Sequence, residues 1–235
     1  MSDETSTVDN ELRSKLCLAL DVDDMVEAVR LGRVLSPWFG VAKVGLELFT
    51  AAGADGIGTL MGLGYDVFLD LKMYDIPTTV NKASKVLGAL GVTYATYHAQ
   101  GGADVLRAGA DGLREGAANA GLEDPKPLAI TVLTSDADAP DHIMPKRVLA
   151  AAEAGMSGLV CSANDVKEAS HYAPRLLKVT PGIRPEGSDT HDQARVATPK
   201  AALEAGSDLL VIGRAVTLAD DKEAAAEAIV SSILS

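Results

Sequence analysis

The chain has 235 residues, and 33 Asp+Glu against 21 Lys+Arg give it a formal net charge of −12. At 47% hydrophobic and 23% charged it is composed like a folded globular chain, long enough for one sizeable core and unlike a disordered one. The acidic balance excludes a broad nucleic-acid surface, which needs clustered Lys and Arg, but leaves room for one small anion in a local basic pocket.

In chain order, residues 1–14 are polar and acidic and lack the basic-then-apolar pattern of a signal peptide, so they are expected to form a mobile N-terminal tail. From there short apolar runs alternate with longer helical patterns. The expected strands are Leu16–Asp21, Val41–Gly45, Val67–Lys72, Val92–His98, Leu128–Thr134, Gly158–Ser162, Leu176–Thr180 and Leu209–Gly213. Short runs without polar alternation suit strands buried on both faces of a parallel sheet. The amphipathic stretches between them include Met25–Leu35, Glu47–Leu63, Val80–Leu90, Ala103–Ala120, Lys146–Ala154 and Lys200–Ala205, and Asp220–Leu234 follows the last strand. Eight strand–helix units predict an α/β fold of the (β/α)8 TIM-barrel type, a single domain over residues 15–235. An open doubly wound sheet is disfavoured, because LALDVDD follows the first strand where a GxGxxG fingerprint would stand.

Cys17 and Cys161 lie in apolar runs and no CxxC spacing exists, which predicts two buried, reduced thiols and a cytoplasmic protein. No run of 18 apolar residues exists, so no membrane partner is expected.

Barrel chemistry gathers at the carboxyl ends of the strands. Polar residues stand at those ends: Asp21, Lys43, Asp70, Lys72 and nearby Asp75, His98, Thr134, Ser162, Arg184, and Gly213–Arg214. Asp70 and Lys72 are two apart and so share a strand face with Phe68, while Val67, Leu69 and Leu71 turn to the helices. A lysine–aspartate set in a barrel mouth holds an ammonium charged and aims it at a reacting carbon; the alternative is a structural ion-pair network. Gly213 admits an anion close to the backbone, Arg214 offers a bidentate fork, and Gln193 in the loop Pro181–Gln193 adds a neutral donor.

The segment VFLDLKMYDIP, Val67–Pro77, resembles the Asp-x-Lys-x-x-Asp-Ile-Pro signature of the orotidine 5′-phosphate decarboxylase family. LALD ending at Asp21, KVGLELF from Lys43, TVLTS around Thr134, VTPGIRPEGSDTHDQARVATP from Val179 and LVIGRAV from Leu210 resemble that family in order and spacing. The resemblance runs from about Leu16 to the end of the chain. It implies a cofactor-free decarboxylation of orotidine 5′-monophosphate to uridine 5′-monophosphate, the last step of de novo pyrimidine synthesis. It implies that Lys72 protonates C6 of the pyrimidine within an Asp70, Lys72, Asp75 and Lys43 charge network. Asp70 would stand beside the substrate carboxylate, Lys43 and Asp21 would touch ribose and base, and Thr134 and Ser135 would touch the pyrimidine. Arg184, Gln193, Gly213 and Arg214 would hold the phosphate. Asp75, Ile76 and Thr79 would reach the neighbouring subunit's site, which implies a homodimer.

Other readings compete. A relative that decarboxylates 3-keto-gulonate phosphate or makes hexulose phosphate would hold Mg2+ partly on an acidic residue ending the second strand, where this chain has Lys43, with Glu47 four residues on. A ribulose-phosphate epimerase would need several strand-end histidines, and only His98 is so placed. A non-catalytic nucleotide-binding barrel is the reading from another class, disfavoured by the intact Asp70, Lys72 and Asp75. His98 is expected as a core histidine or a support to the site, His191 as a solvated loop residue ahead of a ligand contact, Tyr74 as a packed aromatic ahead of a contact to the dimer partner, and Trp38 as packing beneath the loop before the second strand.

Overall fold

In the computed structural model, which describes residues 8–136, 139–185 and 196–235, eight parallel strands close into a barrel in chain order. They are β1 Leu16–Leu20, β2 Val41–Val44, β3 Asp66–Met73, β4 Tyr94–His98, β5 Lys126–Ile130, β6 Gly158–Val160, β7 Leu177–Thr180 and β8 Leu209–Ile212. Parallel pairing runs around the whole ring, with a register shift between β3 and β4, and β8 returns to pair with β1 through Leu210↔Leu16. Helices α1 Asn10–Ser14, α2 Met25–Leu35, α3 Leu46–Met61, α4 Pro77–Ala89 and α5 Gly102–Asn119 occupy the first half of the chain. The second half carries α6 Ile143–Glu153, α7 Val166–Tyr172, α8 Pro199–Ala205, α9 Arg214–Thr217 and α10 Lys222–Leu234.

Two cores follow from the strand period of two. Inside the barrel, Cys17, Ala19, Val41, Phe68, Tyr94, Leu128, Val179, Leu209 and Val211 form one buried cluster. Outside it, Leu18, Ala42, Val44, Val67, Leu69, Ala95 and Ala129 pack with helix residues such as Leu31, Leu60 and Leu113. Phe68 and Tyr94 meet at 5.9 Å between ring centroids in a tilted pair, filling the barrel beneath the charged mouth.

Local chemistry explains where elements start and stop. Asp24 accepts from the N–H groups of Val26 and Glu27 and so opens α2. Pro77 occupies the first turn of α4, where its missing N–H costs nothing, so this helix begins three residues before the expected Val80 and takes in Thr79. The strand expected at Leu128–Thr134 ends at Ile130. Thr131 turns its N–H and hydroxyl to Val160 O, and a turn follows in which Asp136 N–H donates to Leu133 O. Thr134 and Ser135 are therefore turn residues, not the end of a strand.

The expected tail is helical over Asn10–Ser14. Arg13 of that helix donates to Phe39 O, and Gly40 N–H donates to Arg13 O. Two further helices were not expected, α7 and the single turn α9; both are too short for periodicity to reveal. Trp38 does more than pack beneath a loop: its indole N–H donates to Glu227 on α10 at 2.9 Å. Tyr74 is 57% exposed, contrary to the packed role and compatible with the partner contact that was its alternative. Cys17 and Cys161 are buried free thiols, as expected, and burial pushes both thiol pKa values up, Cys161 to about 12. Among the described residues no helix is long and apolar enough to cross a membrane.

Candidate active site

A cavity of about 220 Å³ opens at the carboxyl ends of the strands. Asp21 follows β1, Lys43 rises from β2, and Asp70 and Lys72 from β3; Thr134 borders the β5 side, Arg184 the β7 side, and Gly213–Arg214 the end of β8. Ile130, Val132, Val160, Cys161, Ile183 and Val211 give it an apolar wall.

The charged residues form a chain. Lys43 Nζ donates to Asp21 Oδ1 at 2.8 Å and lies 4.0 Å from Asp70 Oδ2. Lys72 Nζ donates to the same Asp70 Oδ2 at 2.8 Å. Burial alone would lower the Lys43 pKa, but the charges of Asp21 and Asp70 outweigh it and hold the ammonium above the ordinary lysine value. Two lysines alternate with two carboxylates, so the chain is electrically balanced while its ammonium groups still face the cavity. Gly45 leaves the space this requires: a Cβ there would stand 3.3 Å from Lys43 Nζ and 3.4 Å from Asp21 Oδ1.

The backbone under Lys72 departs from the regular pleat assumed in placing Asp70 and Lys72 on one face. Lys72 has φ 51°, in the left-handed region, and β3 shifts register against β4 between Leu69 and Met73. Both side chains still reach the cavity. Thr96 of β4 supports the irregularity: Lys72 N–H donates to Thr96 Oγ1 at 2.8 Å, and Thr96 donates to Asp70 Oδ1 at 2.9 Å. Sequence reasoning missed Thr96, although a polar residue two before His98 on the inward face of an apolar strand is a readable signal.

On the β7–β8 side, Arg184 is buried and Arg214 begins the short helix α9 after β8, the strand that pairs with β1. The base of the long loop after β7 is pinned by a parallel bridge between Ile183 and Ala197, with Arg184 N–H donating to Ala197 O. Gln193 and His191, expected in that loop, lie outside the described residues. Ser135 is exposed and does not line the cavity.

Asp75, Ile76 and Thr79 are exposed and stand outside this cavity too, so within one chain the charge network runs Asp21–Lys43–Asp70–Lys72 without Asp75. Asp75 Oδ1 accepts from Ile76 N–H at 2.6 Å, and Ile76 is 66% exposed. His98 ends β4 half-buried, its Nδ1 accepting from Gln100 N–H and its ring 6.2 Å from that of Tyr74. Burial, then the charges of Arg147 and Lys72, lower its pKa, so the neutral ring is favoured. Glu47, in the first turn of α3, is exposed and lines no part of the cavity. Among the described residues no group of three or more His, Cys, Asp or Glu is arranged to hold a metal ion.

Fold and site together define a (β/α)8 barrel with a charged small-molecule cavity in its catalytic mouth, cationic groups lining it. Residues 14–229 match the model of the family described as orotidine 5′-phosphate decarboxylase / HUMPS. The chain belongs to that family. It is 42% identical over 233 residues to the orotidine 5′-phosphate decarboxylase of Moorella thermoacetica, covering 94% of this chain and 92% of that protein. The crystal structure of orotidine 5′-phosphate decarboxylase from Lactobacillus acidophilus superposes with a TM-score of 0.77 at 40% identity, over 94% of this chain and 99% of that one. The enzyme of the same name from Pyrococcus horikoshii, 21% identical with a TM-score of 0.76, shares the fold.

Proposed function

We propose that this protein decarboxylates orotidine 5′-monophosphate to uridine 5′-monophosphate and CO2 without a cofactor, as the last step of de novo pyrimidine synthesis. The observation that carries the reading is the Asp21–Lys43–Asp70–Lys72 chain at the barrel mouth, lining one cavity with Arg184 and Arg214, in a member of this family.

The chemistry demands such a chain. Loss of CO2 from C6 leaves an electron pair with little delocalisation, and a cation fixed beside it lowers the barrier. In this reading the Lys72 ammonium stabilises that carbanion and then gives it a proton; the departing C–C electron pair becomes the new C6–H bond, and Lys72 ends neutral. Asp70 stands beside the substrate carboxylate and keeps the Lys72 ammonium in place. Lys43 and Asp21 bind the ribose and base, with Thr134, which borders the cavity, at the pyrimidine edge.

The phosphate fits the β7–β8 side, where barrels of this type bind phosphate through the last two loops and a short extra helix. Here those parts are Arg184, Gly213 and the α9 turn beginning at Arg214. Gln193 is assigned to the same clamp. Binding energy from this remote group then contributes to catalysis.

We read residues 15–235 as one catalytic domain of a cytoplasmic homodimer. Asp75, Ile76 and Thr79 are assigned to the neighbouring subunit's site, a role supported by their exposure beside the exposed Tyr74. The test is the loss of orotidine 5′-monophosphate absorbance, followed with and without EDTA. Equal turnover in both supports the reading; no turnover overturns the substrate, and EDTA-sensitive turnover overturns the cofactor-free mechanism.

A further inference from the structure

Lys72 is the one non-glycine residue with positive φ among the described residues. A long L side chain keeps that conformation only where its surroundings impose it. The strand register shows what imposes it. β3 pairs with β4 as Leu69↔Ala95 and next as Met73↔Tyr97, so β3 advances four residues while β4 advances two. The surplus falls on the stretch that carries Asp70 and Lys72, and the β4 residue facing it is Thr96.

Thr96 is 1% exposed, and its hydroxyl makes two bonds. It accepts from Lys72 N–H at 2.8 Å and donates to Asp70 Oδ1 at 2.9 Å. A hydroxyl carries one proton, and a main-chain N–H can only donate to it. The proton is therefore directed to Asp70 Oδ1. That leaves Oδ2 for the two ammonium groups, Lys72 at 2.8 Å and Lys43 at 4.0 Å. One buried hydroxyl thus fixes both the main chain of the lysine and the orientation of the carboxylate that anchors its side chain.

We propose that Thr96 is the positioning residue of this site: its hydroxyl holds Lys72 in the left-handed conformation and turns Asp70 so that one carboxylate oxygen serves both lysines. Its kinetic consequence rests on the decarboxylase reading; its structural consequence does not. Thr96→Val keeps the shape and removes the hydroxyl, Thr96→Ala removes both, and Thr96→Ser keeps the hydroxyl.

The expected result is a kcat for orotidine 5′-monophosphate lowered about tenfold to a hundredfold in Thr96→Val and Thr96→Ala, because small misplacements of catalytic groups are costly. KM changes little, since Arg184 and Arg214 line the β7–β8 side of the cavity, and Thr96→Ser recovers most of the lost kcat. Crystal structures of the two hydroxyl-free variants show Lys72 out of the left-handed region or Asp70 rotated away from Lys72. The proposal is overturned if a hydroxyl-free variant keeps the parent kcat, if Thr96→Ser is as impaired as Thr96→Ala, or if both residues keep their conformations without the hydroxyl. If Thr96→Val does not fold, the alanine and serine variants decide. If the parent protein turns over no orotidine 5′-monophosphate, the decarboxylase reading falls, and the crystal structures alone decide the role of Thr96.

Discussion

The Lys72 ammonium folds back two residues along its own strand to Asp70 Oδ2, 2.8 Å away, across a backbone in the left-handed region. A regular strand would set the two side chains parallel and leave their separation to chance rotamers. The bulge and the Thr96 bonds fix it instead. Removing one partner of such a part-buried pair leaves a charge without its counterion, which costs more than the pair contributes while intact. The pair is therefore read as an arrangement kept for its geometry.

Arg214→Ala tests the phosphate side. One charge-assisted hydrogen bond contributes about 2 kcal/mol, so binding of uridine 5′-monophosphate is expected to weaken roughly thirtyfold. The melting temperature should move by no more than about 2 °C, as for a surface change. Isothermal titration and a thermal scan check both. Unchanged affinity would remove Arg214 from the clamp.

Asp75→Ala and Lys72→Ala test the shared site. Each variant alone is expected to be nearly inactive. Mixed and allowed to exchange subunits, they should regain about a quarter of the parent activity, because half of the sites in the mixed dimers receive both intact residues. Mixtures that stay inactive while mass measurement shows exchanged dimers would place Asp75 in its own subunit's site or outside catalysis.

The α4–α5 seam tests the scaffold under Thr79. A Cβ on Gly116 would overlap Lys85 O, and one on Gly112 would overlap Asn81 O. Gly116→Ala should therefore force the helices apart and destabilise the fold by about 1–3 kcal/mol, even though alanine is the better helix former. Urea unfolding measures it, and a variant as stable as the parent would show that the seam has slack.

His98 predicts a pH dependence of stability. Burial, then Arg147 and Lys72, lower its folded-state pKa, so the unfolded chain takes up a proton first as pH falls below about 6.5. The stability contributed by neutral His98 is present above that pH and is lost as pH falls towards the folded-state value. His98→Gln should flatten this part of the profile, measured as urea midpoints from about pH 7.5 to about pH 5. A profile as steep as the parent's would assign the slope to other groups.

Much of the molecule was legible in the sequence because barrel strands carry a strong signal. Lys43, Asp70 and Lys72 stood out as charges in apolar runs, and the period of two separated Phe68 from Val67 and Leu69 correctly. Strand ends were less legible. β5 stops at Ile130 because Thr131 bonds across to Val160 O, a tertiary choice that composition does not reveal, and this moved Thr134 and Ser135 into a turn. The helix Asn10–Ser14 was hidden by its polarity: it buries none of its residues and is held by its N-cap Asp9 and by main-chain contacts to Phe39 and Gly40. Thr96 was readable only as a polar residue on an inward strand face, not as a positioning group. Its importance depends on the register shift of β3 against β4, and no local pattern encodes that shift.

The most direct test of the central claim is the kcat of Lys72→Ala on orotidine 5′-monophosphate, measured beside the parent protein with folding checked by circular dichroism. Loss of the cation and proton donor at C6 predicts a fall of at least about a thousandfold in a folded variant. A folded Lys72→Ala protein that turns over at the parent's rate would contradict the account, because among the described residues no other ammonium group hydrogen-bonds Asp70.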